Sequence, residues 1–319
     1  MTGKALSCRG PDRRALLLAV LGAASISASG IMIKLADTGA VSAAFYRTLL
    51  AVPGLVLLAV LEQRRRGPRR PAARVGAFVA GLFLSADLVL WNHAIAEVGA
   101  GIATVLGNLQ VVFVAFAAWA VFRERPERRF LIFLPVVMAG VVMVSGLVGG
   151  DTGTHPLAGI GYGIGTSIAY AAFLLTLRRT SSGSPHVAGP LAEATTGAAL
   201  GTAAIGLVFG GFALHIPWPS FWWLLLLALT SQTLGWLLIT SSLPRLPAAI
   251  SSLTLLLQPA AAMVLAAIVL DERPTLIQIA GAVVVCCGVL AVSLPASSPE
   301  AEDRPGAEDL EPAATGSLA

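Results

Sequence analysis

Asp87 sits in "GLFLSADLVLWNHAIAEV", an apolar run with few other charges, and Trp91 follows four residues later on the same face of a helix. It lies 13 residues beyond Arg74, roughly 20 Å along a helix axis and therefore deep in any membrane the run crosses. An ionised Asp at such a depth costs roughly 2.5 to 3.5 kcal/mol, so the side chain turns towards protein or a water-filled cavity. A carboxylate beside an aromatic wall can bind a cation, or take up and release a proton as the cavity opens to one side and then the other. Arg47, in "FYRTLLA", is the basic counterpart. Paired with Asp87 it would hold both groups charged, and the pair would then be architecture rather than a coupling site.

Uncharged polar groups supply the rest of a selective pocket. Gln110 lies 14 residues before Glu124, and Gln258 lies 14 before Glu272, about 21 Å of helix in each case. Both amides fall near the middle of their runs, where they can flank a small molecule. Asn108 adds another amide, and Gln232 with Trp236 repeats the polar-to-Trp spacing of Asp87 and Trp91. Pro259, directly after Gln258, removes a backbone donor and predicts a helix break. Amides also bond helices to one another in lipid, so packing is an alternative role for each. Glu193 and Lys34 stand near helix ends, where a charged head reaches water.

No catalytic set accompanies these groups. His93, His155, His186 and His215 are scattered, and the chain has neither a Gly-x-Ser-x-Gly elbow nor a His-Glu-x-x-His helix. Cys8, Cys286 and Cys287 have no zinc or disulfide spacing. The glycines of "GIGYGIGTS" have the small-xxx-small spacing of close helix packing and lack a full nucleotide fingerprint. No enzyme activity, cofactor, metal or direct drive by ATP is expected.

The elements that position these residues follow from composition. Of 319 residues, 56% are hydrophobic and 12% charged, with a mean hydropathy of +0.82, more apolar surface than a soluble domain can bury. The partners expected are a lipid bilayer, a small-molecule substrate and protons; the net charge of +4 sits in short basic clusters between apolar runs and argues against nucleic acid. A helix needs about 20 apolar residues to cross the bilayer. The runs predict ten transmembrane helices over 15–35, 40–61, 74–96, 100–122, 129–148, 157–177, 188–210, 220–242, 247–270 and 275–294. A signal peptide is the alternative for the first, but its run is long and nine more segments still need a membrane. With the N terminus inside, eighteen of the 21 Lys and Arg fall in cytoplasmic segments and only Arg273 in an external one. The chain thus reads as a cytoplasmic tail over 1–14, a five-helix repeat over 15–148, an external linker over 149–156, a second five-helix repeat over 157–294, and a disordered acidic cytoplasmic tail over 295–319 in the cell membrane.

The repeat rests on a register. "VFRERP" at 121–126 and "VLDERP" at 269–274 are 148 residues apart, and so are Gln110 and Gln258, Glu124 and Glu272, and Gly140 and Gly288. Five spans per copy is an odd number, so the second copy crosses in the opposite sense, the inverted arrangement through which a carrier alternates access to one central site. Glu124 and Glu272 then mark equivalent turns on opposite faces, as turn or gate residues.

The segments "TVLGNLQVVFVAFAAWAVFRERP" and "SSLTLLLQPAAAMVLAAIVLDERP", with "FYRTLLA", resemble the EamA-like family of the drug/metabolite transporter superfamily, from about residue 15 to 294. The resemblance implies an all-α basket of ten helices around a cavity lined by both halves, and export or exchange of small metabolites. One departure is that Val111 stands where the second half has Pro259, which predicts a helix break in one half only. The function expected is a secondary transporter of amino-acid-like or amphipathic metabolites, working by alternating access and coupled to protons. A channel or membrane sensor is the alternative, with an intramembrane enzyme behind it.

Overall fold

The computed structural model describes residues 12–145, 155–211, 213, 215–269, 271 and 273–293. Glu272, the tail over 295–319 and most of the linker over 149–156 lie outside the described residues. Among the described residues the regular structure is entirely helical. In chain order the helices are α1 Arg13–Ser27, α2 Ser29–Ala36, α3 Ala40–Arg66, α4 Pro71–Asn108, α5 Gln110–Phe122, α6 Arg128–Val144, α7 Pro156–Ser181 and α8 Ala188–Phe209. They continue with α9 Trp218–Leu227, a π-helical stretch Ala228–Gly235, α10 Trp236–Ser242, α11 Ala248–Leu255, α12 Leu257–Val269 and α13 Leu276–Ser293.

Nine helical spans among the described residues are long and apolar enough to cross a membrane. The remaining helix, α6, has 17 residues and a length of about 25 Å. Leu57, Leu207 and Ile268 are among the large side chains exposed around the outside, where lipid rather than water must cover them. The helix α4 is not straight. In a straight helix Trp91 and Gly107 would be about 24 Å apart, yet a Cβ on Gly107 would lie 3.7 Å from the Trp91 ring. The chain therefore doubles back between them, and its two arms are the apolar spans Pro71–Val98 and Ile102–Phe122.

Equivalent helices of the two repeats pack on one another and run in opposite directions. At one end of α3 the Glu62 carboxylate accepts from Val187 N at 2.8 Å and Gly189 N at 3.0 Å, at the start of α8. At the other end of α3 the Ser42 hydroxyl accepts from Ala213 N at 2.9 Å, beyond the end of α8. Likewise Val137 of α6 meets Gly288 of α13, while Gly140 meets Gly281 and Val285 lower down that helix. The absent side chains let backbones touch, which is how helices associate without a hydrophobic driving force in lipid. At Gly81 an added Cβ would collide with the Ala194 carbonyl of α8.

One position of the repeated turns can be compared directly. Arg123 and Asp271, 148 residues apart, both take left-handed backbone conformations, with φ of 59° and 52°. Each follows a helix end, a usual place for that conformation but an uncommon one for residues other than Gly.

The break predicted for one half alone occurs in both. Leu109 separates α4 from α5 with φ −59°, ψ −12°, and Leu256 separates α11 from α12 with φ −67°, ψ −8°. In the second half Pro259 explains it: the ring removes the donor that would reach the Leu255 carbonyl and crowds that carbonyl. The first half has no proline there. Instead the Ser167 hydroxyl of α7 donates to the Leu106 carbonyl at 2.5 Å and lies 3.0 Å from that of Gly107, while Asn108 Nδ2 donates to the Thr104 carbonyl at 2.7 Å. Side chains that take up backbone carbonyls compete with the helix, here next to a glycine.

Candidate functional site

The two breaks border one cavity of about 270 Å³ between the halves. From the first half Arg47, Asp87, Trp91, Asn108 and Gln110 line it, and from the second half Trp236, Gln258 and Pro259. The sequence-derived candidates are therefore gathered at one place, with two exceptions among the described residues, Gln232 and Glu124.

Gln232 stands behind the wall rather than on it. It belongs to the π-helical stretch, where the Thr233 hydroxyl donates to the Ala228 carbonyl five residues back, at 2.8 Å. The widened turn alters the angular relation expected for residues four apart in an α-helix, so Trp236 lines the cavity while Gln232 is buried beside it. There the Gln232 Oε1 accepts from Arg47 Nε at 3.2 Å, and its Nε2 donates to the Thr195 hydroxyl at 3.4 Å. Gln232 thus holds the guanidinium that faces the cavity. Arg47 and Asp87 are both buried, and their charges act on one another. Thr166 of α7 donates to the Asp87 carbonyl at 3.2 Å and fixes this stretch of α4.

Gln110 is 3% exposed, and among the described residues its Oε1 has no hydrogen-bond partner. A buried acceptor left unpaired costs about 1 to 3 kcal/mol, an expense that a bound donor would remove. Gln258, its equivalent in the other half, lines the same cavity.

Tyr170 is a residue that sequence reasoning missed. It lies four residues after Thr166 on α7, and both line the cavity, as do Ser27 and Ser29 on either side of the interruption between α1 and α2. The i, i+4 pair of Thr166 and Tyr170 in an otherwise small and apolar run was the signal available. Tyr170 and Trp236 on the cavity wall and Phe173 packed behind them form an aromatic cluster, with Phe173 and Trp236 edge to face at 4.8 Å between centroids.

Glu124 lies about 21 Å of helix from Gln110, at the arginine-rich end. Arg178 Nη1 donates to its two oxygens at 2.9 and 3.0 Å. The same guanidinium donates to the carbonyls of Leu243 and Leu246, each at 3.1 Å, and lies 5.8 Å from the centre of the Phe122 ring. Glu124 also accepts from Ala248 N at 3.3 Å. This one cluster ties the ends of α5 and α7 to the turn between α10 and α11. Glu193 is held by Arg69 and by Arg74 at 2.8 Å, a tie between α8 and the start of α4.

Fold and cavity together define a multi-pass helical membrane protein of two repeated halves around a shared central pocket. The EamA-like transporter family matches the sequence twice, over residues 13–146 and 157–294. The chain belongs to that family, whose members are membrane transporters of the drug/metabolite superfamily. An uncharacterized protein of Pseudomonas aeruginosa is 33% identical over 103 residues, 32% of this chain and 36% of the relative's length. A protein of known crystal structure superposes with a TM-score of 0.73 at 15% identity, over 88% of this chain and 99% of that one, and shares the fold.

Proposed function

We propose that this protein is a secondary transporter that exports small amino-acid-like or amphipathic metabolites by alternating access, with a proton exchanged at Asp87. The observation that carries the reading is that one cavity draws a buried acid and arginine, amides and aromatic rings from two antiparallel halves. At about 270 Å³ it is near the lower end of the sizes usual for ligand pockets, which favours compact substrates. Arg47 and Asp87 offer opposite charges to such a molecule, while Trp91, Trp236 and Leu84 offer apolar cover. In this reading α6 is the tenth span, both termini are cytoplasmic in the plasma membrane, and the Arg178 cluster closes the cytoplasmic end. Opening that end while the opposite end closes completes the cycle.

The test begins with a metabolite profile of medium from cells with and without the protein. The enriched compounds are then offered to proteoliposomes. Saturable flux, counterflow and acceleration by an imposed pH gradient are expected. Flux that rises linearly with concentration and shows no counterflow would instead identify a channel. Orientation is checked with Glu127→Cys and Thr275→Cys, each in a background lacking native cysteines; labelling of both from the same side would sink the inverted topology.

A further inference from the structure

A second cavity, of about 370 Å³, lies at the arginine-rich end between α3, α8 and α10. Its wall is apolar, from Leu58, Leu61, Val187 and Leu237, and its rim carries Arg65 and Arg66. Leu58 and Leu61 are 40% and 43% exposed on the outer face of the bundle, where acyl chains must run. The charges at the rim are not balanced. Glu62 is committed to the two backbone donors that open α8 and to Arg66 Nη1 at 3.2 Å. Arg65 has no anionic partner among the described residues, and Arg64 precedes it in the same helical turn.

Two requirements therefore meet in one cavity. A soluble anion would satisfy Arg65 and leave the leucines bare, whereas a plain hydrocarbon would cover the leucines and leave Arg65 without a counter-ion. We propose that this cavity holds one anionic phospholipid, its phosphate on Arg65 and Arg66 and an acyl chain along Leu58, Leu61 and Leu237. Basic side chains at a membrane surface attract anionic lipids, and a guanidinium fork suits phosphate oxygens. Because α3 belongs to the first half and α8 and α10 to the second, the bound lipid bridges the two repeats at the end the Arg178 cluster closes. It acts as a stabilising lipid of that closed end.

The experiment reads binding and melting of the full chain in detergent, with no transport assay, so its outcome is separate from that of the transport reading. Purified protein is titrated with phosphatidylglycerol or phosphatidylcholine, and native mass spectrometry counts retained lipid. The expected result is one retained phosphatidylglycerol and a rise in melting temperature of a few degrees, as for a ligand well above its dissociation constant. Phosphatidylcholine gives neither. The protection disappears in the double variant Arg65→Gln, Arg66→Gln, and also in Leu58→Trp, which fills the apolar wall and keeps every charge. It persists in Arg64→Gln, Arg70→Gln, which removes as much charge away from the cavity. Equal effects of the two lipids, equal loss in the Arg64, Arg70 control, protection kept in both cavity variants, or protection by glycerol phosphate alone would each overturn the proposal.

Discussion

Arg178 and Arg47 both lie between helices, and their surroundings differ. Arg178 has a carboxylate on one side, two backbone carbonyls on the other and an aromatic ring beside it. Arg47 is 8% exposed, yet among the described residues its hydrogen bond is to a neutral amide, and the nearby Asp87 carboxylate lies with it on the cavity wall. A guanidinium whose donors are met holds helices together; in the transport reading proposed above, one that faces the cavity with fewer partners is the one a substrate meets. Gln110 follows the second pattern and Glu124 the first. On this view, loss of polarity at the cavity lowers transport with little harm to stability, and loss of polarity at the arginine-rich end does the reverse.

The largest effect is expected at Asp87. Asp87→Asn keeps the shape and removes a buried charge, so gradient-driven flux should fall by about two orders of magnitude, equivalent to about 3 kcal/mol, with the melting temperature in detergent unchanged or raised. Should the variant instead melt early and the further change Arg47→Gln restore both stability and flux, the pair is structural and the contrast with Arg178 fails. Next comes Arg178→Gln. It strands two carbonyls and a carboxylate, but the Glu124 side chain is 37% exposed, so water takes up part of the loss. A cost of about 1 to 2 kcal/mol is expected, together with faster thiol labelling of a cysteine placed at Thr166, reached from the arginine-rich side. Unchanged melting and labelling would show that this end is closed by packing alone. Gln110→Leu is smaller in stability and opposite in sign. Removing an unpaired acceptor should raise stability by about 1 kcal/mol, while the apparent KM for transport rises. Ser167→Ala is the least of the four, a few tenths of a kcal/mol in melting, read more directly as greater hydrogen-exchange protection of the amides after Leu109.

The repeat was legible because it is written in rare letters. Gln, Glu-Arg-Pro and Gly in one register stand out against Leu, Val and Ala, and Arg123 and Asp271 show that the shared spelling builds the same turn. The cavity residues were legible for a related reason: polar groups in a lipid-spanning run must face inward, so naming them nearly places them. Other features depend on partners far away in the chain. Arg178 had the look of one more charge at a cytoplasmic loop, and nothing in "LRRTSSG" announces that Glu124, 54 residues earlier, is waiting for it. Gln232 and Trp236 were paired on the assumption of 3.6 residues per turn, which the π-helical stretch sets aside. The break at Leu109 was missed because proline was the only breaker sought within the segment, and the agent is a hydroxyl on another helix.

That hydroxyl makes the two hinges unlike in kind, although their backbone angles agree. The interruption at Leu256 is written into the covalent chain, since Pro259 lacks its donor in every state the protein visits. The interruption at Leu109 is borrowed from α7 and lasts only while Ser167 stays within reach of the Leu106 and Gly107 carbonyls. Without that hydroxyl the Leu106 and Gly107 carbonyls are open to their own helical amides, whereas Pro259 leaves the Leu255 carbonyl without an amide four residues on. A molecule assembled from two copies of one design thus carries one interruption set by a single hydroxyl on a neighbouring helix and one set by its own covalent chain.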